Sequence, residues 1–104
     1  MKENPDVTLF KIGEEINSED YFIRIKITAI NPEDHTLEAV VIKAEDYFGT
    51  CQNGFRVGME LKFAPRWQHM WVPCEKSKYP NTGNLPWFEL IAHRDGTKSF
   101  VHYR

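Results

Sequence analysis

Residues 21–44 decide the fold, and they read YFIRIKITAINPEDHTLEAVVIKA. In the first half, apolar residues recur at every second position from Ile23 to Ala29, and polar residues lie between them. A period of two is the pattern of a β-strand with one buried face. Residues 31–35 then read as a turn, and the β-branched residues of 36–44 predict a second strand. The stretch is therefore predicted to be an antiparallel hairpin.

The second strand of this hairpin has two largely apolar faces. Leu37, Ala39 and Val41 share one face, while Val40 and Ile42 share the other. The alternation therefore leaves open which face is inward. Burial on both sides of the strand would account for the pattern.

Downstream of the hairpin, shorter segments show the same alternation. Residues 59–63 predict a strand that ends at Pro65. Residues 67–72 predict another strand, because Trp67, His69 and Trp71 recur at every second position and would lie on one face of it. Residues 87–93 and 98–103 predict a final hairpin, joined by an Asp-Gly turn.

The N-terminal part of the chain is harder to interpret. Residues 7–12 alternate weakly and are predicted to form a short edge strand. Residues 13–20 have room for one helical turn at most. The acidic group in this region reads as a solvated loop and consists of Glu14, Glu15, Glu19 and Asp20.

Together these segments predict a mostly β protein with little helix. The expected architecture is a small antiparallel barrel or a strongly bent sheet of five to six strands. Full closure into a barrel would remove the exposed strand edges that an open sheet of this size presents. The 104 residues, of which 41% are hydrophobic and 27% charged, are predicted to form a single domain over residues 1–104.

Charge and hydropathy narrow the classes of function. The net charge of −2 argues against nucleic-acid binding, which needs clustered lysine and arginine. No apolar stretch approaches the ~18 residues of a membrane span, and the N-terminus lacks the apolar core of a signal peptide. The expected location is therefore the cytoplasm, with no membrane association, and both cysteines are expected to be reduced thiols there.

Cys51 and Cys74 are the two cysteines, and with His69 and His93 they supply the soft ligands that zinc prefers. The chain has no C-x-x-C and no H-E-x-x-H motif, so we favour thiols without a metal and expect no cofactor, with zinc as the alternative. Cys51 also lies in a glycine-flanked turn, where a histidine from a neighbouring strand could reach it and act as a base. No nucleophile motif surrounds it, so we favour a small residue that fills the turn over an activated thiol.

Aromatic residues make up 13% of the chain, which is high for a core this small. At least two of the three tryptophans, Trp67, Trp71 and Trp87, are expected in the core. With Tyr79 and Arg66 they also form a candidate aromatic patch around the longest loop, of the kind that anchors protein partners. Stacking of nucleic-acid bases on the same patch is a further interpretation, which the net charge disfavours.

Residues 51–61, CQNGFRVGMEL, contain the spacing Cys-x-x-Gly-x-x-x-Gly, and Cys74 and the segment 92–98, AHRDGTK, follow downstream. In these elements the chain resembles a group of short uncharacterised bacterial proteins that have a second cysteine and an Asp-Gly turn before a final strand. Ala92 and His93 stand where that group would have consecutive cysteines. What the resemblance implies is limited to an interest in the two cysteines.

The preferred interpretation is a small non-enzymatic β domain that binds an unidentified protein or small molecule through its aromatic patch. The alternative is a small metal- or thiol-dependent enzyme that uses Cys51 and Cys74 with His69 and His93. A homodimer is a further prediction, because a second copy would cover edge strands and exposed aromatic residues.

Overall fold

A computed structural model of the protein describes residues 7–45, 55–67, 69–73 and 88–102, with Trp67 described by its backbone. In this part of the chain seven strands form one sheet in the order of the sequence, each antiparallel to the next. The sheet curves into a nearly closed barrel, and the prediction of a mostly β fold is confirmed. The strands are β1 (Glu15–Asn17), β2 (Ile23–Asn31), β3 (Thr36–Ala44), β4 (Glu60–Trp67), β5 (Met70–Pro73), β6 (Phe88–Ala92) and β7 (Lys98–His102).

The predicted number of five to six strands is wrong, and two segments account for the difference. The residues expected to form an acidic loop contain β1, which pairs with β2 through Ile16 and Ile25. β1 has only three residues and one buried side chain, so it shows almost no alternation. The strand predicted over 67–72 is the end of β4, a turn and the start of β5. His69 in this turn has a left-handed φ of 60°, which reverses the chain.

β2 and β3 form the predicted hairpin, and each turns one face to a common core. The inward face of β3, which alternation left open, carries Leu37, and the residues of the other face are half-buried. A register shift between Ile27 and Ala29 leaves Ala29 partly outside the core. The buried residues of the two strands are Ile23, Ile25 and Ile27 on β2 and Leu37, Ala39, Val41 and Ala44 on β3.

β4 continues through Pro65, where the sequence predicts the strand to end. Val41 donates its amide to the carbonyl of Met59, so the odd-numbered residues of β4 direct their backbone groups towards β3. β3 pairs with β4 only as far as Phe63. An amide at Pro65 would thus face no strand, and a proline is tolerated at such a position. The strand therefore runs on to Trp67.

One end of the barrel carries the turns between β2 and β3, β4 and β5, and β6 and β7, and is covered by the chain before β1. The edge strand predicted over 7–12 is wrong, because Val7–Leu9 form a 3-10 turn. This turn places Phe10 edge-on against Trp71, with ring centroids 5.0 Å apart. Trp71 also donates its indole N–H to the carbonyl oxygen of His35 at 3.0 Å. We call this the tryptophan end.

Towards the opposite end the interior is filled by phenylalanine rings. Phe55 and Phe63 each lie edge-on to Phe88 and Phe100, with centroids 5.5 to 6.3 Å apart. Edge-on contact is the favoured geometry for aromatic pairs, and all four of these rings are buried in the core. No helix in the described residues is long and apolar enough to cross a membrane.

The junction between the first and last strands differs from every other junction in the barrel. Because neighbouring strands alternate in direction, β1 and β7 in a series of seven run the same way. They are joined by a single parallel bridge between Ser18 and Phe100. All other neighbours form ladders of two or more residue pairs. We call the junction of β1 and β7 the seam.

Candidate functional site

A groove of about 560 Å³ lies along the seam. It is lined by residues 14–19 and 21 on the β1 side and by residues 96–99 on the β7 side. The next step of a parallel ladder beyond the Ser18–Phe100 bridge would bring Ile16 level with Lys98, and no such pair forms among the described residues. The seam is therefore held at the bridge and opens towards the tryptophan end.

Beside the bridge, three polar side chains tie the seam together. One carboxylate oxygen of Asp20 accepts the hydroxyl of Ser18 at 2.5 Å and the amide of Phe22 at 3.0 Å. The other oxygen contacts Nε2 of His102 at 2.9 Å. The side chain of His102 is only 5% exposed. The Asp20–His102 contact therefore links the β1–β2 corner to β7, and it joins a shielded imidazole to a carboxylate side chain that is 41% exposed.

The order of these contacts does not suit nucleophilic catalysis. In a catalytic triad the hydroxyl contacts the imidazole, and the carboxylate orients the imidazole from its far side. Here the carboxylate of Asp20 lies between Ser18 and His102. The Ser18 hydroxyl is buried and also accepts the amide of Ile23 at 3.0 Å. The cluster therefore holds the seam together.

This arrangement lowers the pKa of Asp20. Burial by itself would raise the pKa of Asp20. Hydrogen bonds from Ser18 and Phe22, together with the adjacent His102, outweigh burial and lower the pKa below its ordinary value of 3.8. The ionised carboxylate can accept hydrogen bonds from all three groups.

The remaining ring nitrogen of His102, Nδ1, is buried and has no hydrogen-bond partner in the part of the chain that the structure describes. A proton on Nε2 lets His102 donate to Asp20 and leaves only a lone pair at Nδ1. An unpaired acceptor is tolerated inside proteins more readily than an unpaired N–H. We therefore assign the neutral form of this contact to the tautomer protonated at Nε2.

A second polar contact spans the seam nearer the tryptophan end. Nζ of Lys98 lies 2.7 Å from a carboxylate oxygen of Glu14, with side chains 17% and 23% exposed. The same Nζ lies 5.5 Å from the ring centroid of Phe10, within cation–π range. The pair is thus better shielded from water than Lys43 and Glu45, whose side chains are 37% and 59% exposed.

The two polar contacts flank an apolar centre on the inner side of the seam. On the β1 side, Glu14 and Ser18 have the same parity as the buried Ile16. On the β7 side, Lys98 and His102 have the same parity as the buried Phe100. Ser18 is the one polar residue among those described that is fully buried. Polar groups on the inner side of the barrel therefore concentrate at the seam.

On β1, some backbone groups face the groove. Ser18 donates its amide to the carbonyl of Ile23 on β2 at 2.8 Å. Because backbone groups of successive residues point to opposite sides of a strand, Glu15 and Asn17 direct theirs towards the seam. The ladder with β2 does not use them.

On β7, the corresponding residue is Lys98. His93 of the preceding turn donates its amide to the carbonyl of Thr97 at 2.8 Å, so Thr97 faces β6 and Lys98 faces the seam. The groove therefore has the edge of a strand on each side.

Of the predicted aromatic patch, the structure places two residues and the backbone of a third. The assignment of Trp71 to an exposed patch is wrong: its side chain is fully buried against Phe10, which confirms a core role for this tryptophan. Arg66 is exposed near the end of β4. Trp67 follows it in the same strand, and Tyr79 and Trp87 lie outside the described residues.

Of the predicted metal ligands, His69 and His93 both lie at the tryptophan end. Both are exposed, and His93 contacts the hydroxyl of Ser99 through Nε2 at 2.7 Å. Cys51 and Cys74 lie outside the described residues. No group of three metal-ligating side chains occurs within residues 7–45, 55–67, 69–73 and 88–102.

The seam residues were not among the candidate site residues found in the sequence. One signal was present: Glu14, Ile16 and Ser18 alternate as polar, apolar and polar, and so do the first, third and fifth residues of β7. That pattern places polar groups on an inward face. Only the closure of β1 against β7 shows that the two sets meet.

Comparison of the chain with protein-family models, with curated proteins and with solved structures finds no match. The resemblance to short bacterial proteins stays a prediction.

Proposed function

We propose that the protein is an interaction module that binds an extended segment of a partner protein in the seam, by adding a strand to the barrel. The single observation that supports this proposal is the lone Ser18–Phe100 bridge between β1 and β7. It leaves two strand edges facing each other across a groove. Exposed strand edges pair readily with another extended chain, and several peptide-binding domains work in this way.

The proposal keeps the class of function expected from the sequence and changes the surface. Trp71 belongs to the core, so it has no exposed face to offer a partner. In the seam, recognition would come first from the backbone groups of Glu15 and Lys98 and from the amide of Asn17. Side chains around the groove would then select among partners.

Strand addition is tested with a neutral probe peptide, Thr-Val-Thr-Val-Thr-Val-Thr, blocked at both termini. Titrated to millimolar concentration, it is expected to shift the amide resonances of Glu15, Asn17 and Lys98 before those of other strands. The same peptide with a central proline cannot donate at that position and is expected to bind more weakly.

The matched variants are Glu15→Pro and Glu15→Ala. Both remove the carboxylate, but only the proline removes the amide that faces the groove, so Glu15→Pro alone is expected to weaken peptide binding. Should the peptide shift resonances elsewhere, or should the two variants bind equally well, strand addition at the seam is wrong. A circular dichroism spectrum of each variant checks that the barrel is retained.

The alternative of a metal- or thiol-dependent enzyme stays a prediction, with Cys51, Cys74, His69 and His93 as its residues. Elemental analysis of protein purified without added metal and a thiol-labelling titration address it. Stoichiometric zinc, or one thiol of unusually high reactivity, would support it. If the protein contains no metal and neither thiol is activated, the enzyme hypothesis is excluded.

A further inference from the structure

We infer that the partner segment is basic and runs antiparallel to both β1 and β7; this inference rests on the proposed function. Direction follows from the number of strands. β1 and β7 run the same way, as their parallel bridge shows. One inserted strand can therefore be antiparallel to both neighbours at once. The barrel would then have eight strands, with every ladder antiparallel and the Ser18–Phe100 bridge as its one parallel pair, and antiparallel pairing is slightly more stable per residue than parallel pairing.

The length of the segment follows from the shape of the seam. The Ser18–Phe100 bridge closes the groove on one side, and β1 offers only the three residues Glu15–Asn17 before it. At ~3.3 Å per residue, a partner would pair over roughly three to four residues. In the antiparallel direction its N-terminal residue lies near the bridge and its C-terminal residue lies near Gly96, at the tryptophan end.

The charge of the segment follows from the side chains beside the two strand edges. The groove is lined by three carboxylates and one ammonium group. Glu14 is matched by Lys98 at 2.7 Å, whereas Glu15 lies 3.8 Å from Arg24 in an exposed pair. Glu19 is exposed and forms no ion pair with any described residue. The outer rim is therefore negative, and a lysine or arginine on the outward face of the partner would be attracted to it.

An exposed tyrosine adds a contact for such a side chain. Tyr21 lines the groove, and its side chain is 66% exposed. Its φ of 63° lies in the left-handed region, which a bulky residue seldom adopts. Its amide donates to the carbonyl of Ser18 at 2.9 Å, which holds the corner in this conformation. An exposed aromatic ring that lines the same groove as Glu15 and Glu19 suits the stem and charge of a lysine or arginine.

The charge is tested with two blocked peptides that differ only in sign, Thr-Val-Lys-Val-Lys-Val-Thr and Thr-Val-Glu-Val-Glu-Val-Thr. The lysine peptide is expected to bind about tenfold more tightly at low ionic strength, and the difference is expected to shrink with added salt. The double variant Glu15→Gln with Glu19→Gln is expected to abolish the preference. Glu33→Gln is the matched control, because Glu33 is exposed on the β2–β3 turn, and it is expected to keep the preference.

The direction is tested with a nitroxide label on either terminus of the lysine peptide. A label at the N-terminus is expected to broaden the resonances of Glu19 and Asp20, and one at the C-terminus those of Gly96 and Thr97. The reverse pattern would show a parallel strand and overturn the assigned direction. Equal binding of the two peptides at the seam would overturn the assigned charge and leave strand addition standing.

Two further outcomes would overturn the choice of a basic partner segment. If the seam amides of the free protein become protected as its concentration rises, a second copy of this chain occupies the groove. If they are protected at every concentration, the chain fills the groove itself. If no peptide shifts the seam amides, the proposed function fails and this inference fails with it.

Discussion

Between β2 and β3, eight residue pairs hold the strands together, whereas between β1 and β7 a single pair, Ser18 and Phe100, bridges them. The β2–β3 hairpin buries one continuous apolar face. The seam instead joins its strands with side chains, an Asp20–His102 contact and a Glu14–Lys98 ion pair around a small apolar centre.

This difference shows how a barrel with an odd number of strands can close. The last junction must be parallel, and here a single residue pair, Ser18 and Phe100, forms it. Side-chain contacts substitute for the missing backbone pairs. They add less to stability than a packed apolar face, because desolvation offsets much of the attraction between partly buried charges. The seam is therefore expected to be the weakest junction of the barrel.

The largest expected contrast is in amide hydrogen exchange. The amide of Val41 donates to Met59 between two ladders, whereas the amides of Glu15 and Lys98 face the groove. Exchange at Val41 is expected to be at least about 10³-fold slower than at the two groove amides, because the core opens only by large-scale unfolding. Comparable protection at both places would show that the seam is as closed as the hairpin.

Truncating the hairpin core is expected to give the largest change in stability. Ile25→Ala removes a fully buried side chain from β2 and should lower the free energy of unfolding by about 2–5 kcal/mol. Ile12→Ala is the matched control, because the side chain of Ile12 is 69% exposed, and a change within about 0.5 kcal/mol is expected. Urea unfolding measures both, and similar losses would contradict the assigned core.

Removing the carboxylate of the seam cluster is expected to have an intermediate effect. Asp20→Ala leaves the hydroxyl of Ser18 and Nε2 of His102 without their acceptor. The free energy of unfolding, measured in urea, is therefore expected to fall by about 1–2 kcal/mol. Asp95→Ala is the control, because Asp95 accepts comparable hydrogen bonds from Thr97 on an exposed turn. An equal or larger loss at Asp95 would show that the cluster does not hold the seam.

The same cluster gives a dependence on pH. The folded state lowers the pKa of Asp20 below 3.8, so its unfolded form takes up a proton first as pH falls. The stabilisation from Asp20 is therefore complete above pH 3.8 and is lost as pH drops through the lower folded pKa. Asp20→Ala is expected to unfold with a shallower pH dependence in this acidic range. An unchanged dependence would assign the acid sensitivity to other carboxylates, such as Asp34, whose pKa is also lowered, chiefly by its hydrogen bond from Thr36.

The smallest expected effect concerns the ion pair. A double-mutant cycle with Glu14→Gln and Lys98→Met should give a coupling of about 0.5–1 kcal/mol, since the pair is short and largely shielded from water. The same cycle with Glu45→Gln and Lys43→Met, in the more exposed pair, should give a coupling close to zero. If the two couplings are equal, shielding in the seam adds nothing.

The alternating pattern alone located most of the strands. β3 begins at Thr36 and ends at Ala44 as predicted, and the turn before it follows from Pro32 and the polar residues around it. The final hairpin around Asp95 and Gly96 also agrees with the prediction. These elements depend on contacts between residues that are close in the sequence, and the local pattern of apolar and polar residues predicts such contacts well.

Other features depend on which distant segments meet. Pro65 continues a strand because β3 begins beside it and pairs with β4 only as far as Phe63, and Trp71 is buried because the chain before β1 folds over it. Neither fact can be read from the residues around Pro65 or Trp71. Cys51, Cys74, Tyr79 and Trp87 lie outside the described residues, so their proposed roles stay predictions.

By itself, the amino-acid sequence determined a mostly β chain with a central hairpin and an aromatic core, because a period of two specifies one buried face wherever it occurs. Only the tertiary structure decided that seven strands close through a parallel seam and that Asp20 meets His102 across 82 positions of sequence. Strand count and direction at closure belong to the whole barrel. No local sequence pattern predicts the strand count or the direction at closure, since each strand contacts only the neighbours with which it pairs.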